Sequence, residues 1–249
     1  MGHNLDSDSL LSLRDLLLPS RADDDYESDS ESEVPEFVEE DQKIVELLVA
    51  SSLLNLNASA WLSADLTMKN ILILATPALE RRWKPHVTCS LKPADSENEV
   101  HDAILSFGLL LMEIEAKKLV RPKPVDQDWE TGLTSKDSML KRILEEWNRA
   151  VGDGYRHVAT ACLRFRELSA RFYDPALTQD MKNIAAIYKY ILAPLHRLIT
   201  HQHSRISALF NGLPNSPQNY SITQSQHLGK PTSRLGLILF DGSGTHNPK

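Results

Sequence analysis

The side chains in this sequence that could do chemistry are few and scattered. Asp65 and Asn70 put a carboxylate and an amide five positions apart, just ahead of the apolar run Ile71-Leu72-Ile73-Leu74. As members of a polar loop they satisfy backbone donors at a turn or a helix end. His196, His201 and His203 lie five and two apart, a spacing that cannot set three imidazoles on one helical face. No Asp, Glu or Cys falls four residues after any of them, so no metal site is expected and the three read as a solvated helix end. Cys162 shares an apolar stripe with Val158 and Phe165 and reads as core rather than nucleophile. Leu239-Phe240-Asp241-Gly242-Ser243-Gly244-Thr245 has neither an Asp-Thr/Ser-Gly order nor a following helix, so its glycines read as turn chemistry. Ser28 and Ser30 each precede a glutamate by three, Glu31 and Glu33, which makes both candidate phosphorylation sites for an acid-directed enzyme. No cofactor is expected from this set.

Helical periodicity runs through 42–57, 100–119, 135–151, 155–168 and 183–203. The first two are apolar on nearly every face, which places them at the centre of a domain. Lys117 and Lys118 close the second, where a helix end favours cations. Thr134 and Asp137 have the spacing of a capping box at the start of the third. Pro194 interrupts the last, removing one backbone donor and kinking or ending it near Leu192. Residues 71–74 read as a short buried strand. Eleven of the 34 acidic residues fall between Ala22 and Asp41, with no Lys or Arg among them. Self-repulsion and little apolar mass make that stretch a disordered linker. Ahead of it, Leu10 to Leu18 could form two helical turns, too short to persist alone. The expected organisation is a disordered acidic arm at 1–41, a helical domain at 42–210, and a loop-rich tail at 211–249 with a short strand at 235–240.

The chain has 249 residues and a formal net charge of −7, a sign that argues against a general nucleic-acid binder. Cys89 and Cys162 are too few for a disulfide scaffold and fit a reducing compartment. The longest apolar stretch, 103–114, is twelve residues and includes Ser106, Gly108 and Glu113, short of the ~20 a spanning helix needs. The first residues lack the basic start and apolar run of a secretory signal. The expectation is a soluble, cytoplasmic protein that binds neither membrane nor nucleic acid.

Two blocks carry a resemblance. Ser63-Ala64-Asp65-Leu66-Thr67-Met68-Lys69-Asn70-Ile71-Leu72-Ile73 keeps an Asp, an Asn five positions on and an apolar strand. Ser106-Phe107-Gly108 opens a long apolar helix. With the order of elements, these blocks resemble the C-terminal lobe of protein kinases. The departures are specific. Ser63-Ala64 stands where kinases have His-Arg, Thr67 stands where they have Lys, and no Asp-Phe-Gly, Ala-Pro-Glu or glycine-rich loop is found. The sequence is also similar, over about residues 45–195, to fungal domains of unknown function that look like a degraded kinase lobe. Ala50-Ser51-Ser52-Leu53-Leu54-Asn55-Leu56-Asn57-Ala58-Ser59-Ala60-Trp61-Leu62 and Ala161-Cys162-Leu163 belong to that likeness.

The resemblance implies a mainly α, kinase C-lobe-like fold with a short strand or hairpin near its N-terminal edge. It also implies that Asp65 and Asn70 are vestiges of a catalytic loop, because the Lys and second carboxylate needed to grip Mg-ATP are missing. The expected function is therefore non-catalytic: binding of a protein partner, in fungal signalling or self-recognition. The alternative is a phosphotransferase or nucleotide binder that completes its site in trans.

Overall fold

The computed structural model describes residues 10–18, 37–56, 66–74, 85–89, 98–129, 131–203, 206 and 239–241. Along the chain these form β1 (Leu10–Ser12), α1 (Leu13–Leu17), α2 (Glu39–Leu56), β2 (Ile71–Leu74), β3 (Pro85–Cys89) and α3 (Asn98–Ala116). A 3-10 turn (Pro124–Asp126) leads to α4 (Lys136–Glu146), α5 (Asp153–Leu163), α6 (Phe165–Ala170) and α7 (Gln179–Ala186). A π-helical segment (Ile187–Leu192), α8 (Ala193–Gln202) and β4 (Leu239–Asp241) complete the mainly helical architecture.

A helix that is apolar on every face must be enclosed, and α3 is. Ile104, Phe107, Leu110, Leu111, Met112 and Ile114 are all buried, although they point in different directions around its axis. It packs chiefly on α5 and α4, with α2 and α6 on other sides. Gly108 sets the closeness of that packing. A Cβ built there would lie 2.8 Å from Leu140 Cδ2 and 2.9 Å from Cys162 Cβ. Cys162 itself is fully buried, and burial pushes its thiol well above the usual range.

The strands form one sheet in the order β1-β2-β3-β4, with β1 and β3 antiparallel to β2 and β4 parallel to β3. Two consequences correct the expected 1–41 arm. Residues 10–18 are built into the body: Leu11 pairs with Ile73, and Leu13 is fully buried. The Arg14 N–H also donates to the Met68 carbonyl at 3.0 Å. Of the stretch expected as two helical turns, Leu10–Ser12 is a strand and Leu13–Leu17 a five-residue helix, and both persist because β2 supplies backbone partners and the core takes Leu13. The last acidic residues, Glu39, Glu40 and Asp41, are the first turn of α2, where a helix N-terminus favours negative charge. The Val38 N–H donates to Asp41 Oδ2 at 3.0 Å and fixes that start. Residues 1–9 and 19–36 lie outside the described residues, as do Ser28 and Ser30. Of the stretch expected as a strand at 235–240, Leu239 and Phe240 are in β4, and 235–238 are outside the described residues.

Other boundaries moved for local reasons. Ser135, not Thr134, caps α4, its hydroxyl accepting the Ser138 N–H, while Thr134 bridges to Gln127 across a loop. The α4 helix stops at Glu146 and a turn carries Val151 into the core. The expected 155–168 helix is two, α5 and α6, with Arg164 between them at φ −95° and ψ 17°. Both flanks stay apolar and buried, so periodicity alone carries no mark of the break. Pro194 neither ends nor isolates the last helix. The Ala193 N–H donates to the Tyr188 carbonyl five residues back, and this wider turn admits the proline ring into the first turn of α8. Among the described residues no helix is long and apolar enough to cross a membrane.

Replacing Gly108 by Ala tests the close approach. Overpacking against Leu140 and Cys162 outweighs the gain in helix propensity and lowers unfolding stability by about 1–3 kcal/mol in urea titration. Unchanged or raised stability would show that α3, α4 and α5 do not close at this point.

Candidate functional site

Asn70 lies in the turn before β2, half-buried, with its N–H donating to the Thr67 carbonyl at 3.0 Å. Met68 in the same turn is fully buried. Asp65, the other member of the expected pair, lies outside the described residues. Asn70 stands as part of a packed turn. Trp61 is likewise outside the described residues. His196 and His201 ride on α8, and His203 follows it 3.8 Å from Glu39. Among the described residues no group of three or more His, Cys, Asp or Glu could hold a metal ion.

Charge instead concentrates where α2, α3 and α5 meet. Lys43 is buried, in contact with Glu115 near the end of α3, and its Nζ is 3.3 Å from Glu46 Oε1. Gln42 Nε2 donates to Glu46 at 3.2 Å and to Glu115 at 3.1 Å, and the ammonium sits 4.3 Å from the centre of the Tyr155 ring. Burial pulls the ammonium down, but Glu46 and Glu115 outweigh it and leave the Lys43 pKa raised. Burial holds Glu46 well above the usual carboxylate range. The arrangement is enclosed and holds α2 against α3; it is a structural joint rather than a site open to a ligand.

The loop between α3 and α4 is exposed along most of its length. It leaves α3 through paired helix-end hydrogen bonds: the Lys118 N–H to the Glu113 carbonyl and the Lys117 N–H to that of Ile114, both 3.2 Å. Lys117 stands at φ 49°, a left-handed conformation natural to glycine that costs a side-chain-bearing residue roughly 1 kcal/mol. The Glu113 carboxylate then accepts the Val120 N–H at 2.8 Å. Burial raises Glu113 to about 7. Further along, Asp126 is fully buried and accepts from Arg142 through both oxygens, at 2.8 and 2.7 Å. These bonds hold the Asp126 carboxyl below its ordinary range. The same guanidinium donates to the Arg121 carbonyl at 3.0 Å, so one side chain braces both limbs of the loop. The tip is closed by the Asp128 N–H to Leu133 carbonyl and Gly132 N–H to Asp128 carbonyl bonds, each 2.8 Å, with Gly132 at φ 66°.

On this braced loop three apolar side chains face outward. Trp129 is 88% exposed, Val125 71% and Leu133 70%. An exposed tryptophan with two exposed aliphatic side chains on the same loop is apolar surface that the fold itself does not bury. In the sequence, Trp129 is indistinguishable from the other three tryptophans, and the flanking Pro122, Pro124 and Gly132 mark only a loop. A separate cleft of about 440 Å³ lies between α3, α6 and α7, lined by His101, Arg166, Asp180 and Asn183 among others.

A family model described as a domain of unknown function, DUF7580, matches residues 2–202. The chain belongs to the DUF7580 family. That match takes in β1 and α1 ahead of the acidic stretch and runs to the last residue of α8, so the DUF7580 unit includes the N-terminal element packed on the sheet. No curated protein and no solved structure matches the chain.

Glu113 gives the loop a pH signature. Its folded pKa of about 7 exceeds the ordinary 4.5, so between these values the native state keeps a proton that the unfolded chain has lost. Its contribution to stability therefore falls as pH rises through that window and levels off above it. Glu113→Gln keeps an acceptor oxygen for Val120 and cannot ionise. Denaturation at a series of pH values should show the wild type losing on the order of 3 kcal/mol relative to this variant across the window. Parallel pH profiles would contradict the assignment.

Proposed function

We propose that this DUF7580 chain is a non-catalytic helical module, built like a kinase C-terminal lobe, that acts by binding another protein in signalling or self-recognition inside a fungal cell. The observation that carries the reading is the braced loop with Val125, Trp129 and Leu133 turned to solvent. The kinase-like order of elements supports the architecture: a helix, a turn with Asn70, a strand, and then the enclosed α3 with its Ser106-Phe107-Gly108 opening. The substitutions around Asp65 support the loss of catalysis, since phosphoryl transfer needs a Lys and a second carboxylate beside the Asp and Asn.

Affinity capture from cells that express the chain tests the reading, with Trp129→Ser/Leu133→Ser as the comparison. Both positions are exposed, so the variant should unfold at the wild-type temperature while its partners fall at least about fivefold in yield. Equal recovery by both chains would overturn the reading. So would stabilisation by Mg-ATP that disappears in Asp65→Ala or Asn70→Ala, which would establish a nucleotide-binding module instead.

A further inference from the structure

We infer that the partner presents an acidic segment with apolar anchors, seated on the strip formed by Lys117, Lys118, Arg121, Val125, Trp129 and Leu133. The inference rests on the binding role proposed above and names the chemistry of what binds.

Three observations carry it. Lys117, Lys118 and Arg121 are exposed and have no carboxylate partner among the described residues, whereas the neighbouring Lys123 is paired with Glu146 at 2.7 Å. Three cations within five residues, none paired with a carboxylate among the described residues, gather positive charge in a chain of net charge −7. Lys117 occupies a left-handed position that glycine would fill without strain, so a cation is held at the site against the local backbone preference. Finally, Arg142 ties the Arg121 carbonyl to Asp126, which fixes the basic limb beside the apolar tip. A bound segment would set carboxylates against the cations and apolar side chains against Trp129, Val125 and Leu133.

An anionic membrane would meet the same groups, but the molecule is poorly placed for one. The α2 helix begins at Glu39 after a run of acidic residues, and the Lys43–Glu115 contact sets its first turns beside the end of α3, from which the basic limb leaves. A broad negative surface would meet Glu39 and Glu40 as well as the strip, whereas a narrow peptide meets fewer of the chain's own carboxylates.

Fluorescence anisotropy on the full chain tests the inference, using a labelled peptide of about 15 residues, Asp and Glu interrupted by Leu and Phe. Saturable binding is expected, weakened about tenfold or more by Lys117→Gln/Lys118→Gln/Arg121→Gln and by Trp129→Ser. It should tighten as salt is lowered from about 150 to about 50 mM. Lys117→Gly should raise the thermal midpoint by a few degrees while weakening the peptide. The inference fails if a peptide with Lys for every acid binds equally, or if the variants bind like wild type. It fails equally if only vesicles containing phosphatidylserine bind. Peptide binding that emerges only when residues 19–36 are replaced by a neutral Gly-Ser linker would identify the occupant as the chain's own acidic stretch, and would also overturn it. Loss of peptide binding with Trp129-dependent capture intact would remove the acidic partner and leave the binding module standing.

Discussion

At Gly108 the backbone of α3 comes within side-chain contact of α4 and α5, with Leu140 and Cys162 occupying the space a methyl group would need. Because α3 is apolar around its circumference, its burial has to be completed from several directions at once, and this approach allows two of its neighbours to close on it. The rest follows from where α3 ends. Its final turn meets α2 through Lys43 and Glu115, and the chain then reverses through Lys117 into the loop that displays Trp129. A buried hub thus fixes the position of an exposed platform.

Polar groups in this fold do two different jobs. Lys43, Glu46 and Gln42 are taken out of water to join helices, an arrangement in which losing one partner strands the others. Asp126 and Arg142 are also largely enclosed, yet what they hold is a loop whose side chains face solvent. Lys117, Lys118 and Arg121 do neither, being exposed and without carboxylate partners among the described residues. Surface charge and surface apolarity therefore coincide on this braced segment.

The core was legible in the sequence because all-round apolarity at 100–119 has a single physical reading. Pro194 likewise marked the right place, though an α-helix can absorb a proline by widening for one turn, and sequence does not say which outcome prevails. The N-terminal strand and the persistence of α1 were not legible, since their stability comes from β2 and a cavity for Leu13 rather than from local propensity. Nor was the pairing of Lys43 and Glu46, charged residues in a helix read as apolar on nearly every face, with Glu115 and the Tyr155 ring. The Asp65 and Asn70 spacing stood out by its resemblance to a known loop. Trp129 did not, because exposure is decided by tertiary packing, and a left-handed lysine gives no signal where glycine is the usual sign.

Amide hydrogen exchange on the chain with and without a captured partner addresses the central claim most directly. The account predicts slow exchange along α3 in both states, with new protection confined to the segment from Lys117 to Thr134 when the partner is bound. Protection elsewhere with this segment unchanged, or an α3 that exchanges as fast as the surface helices, would contradict it.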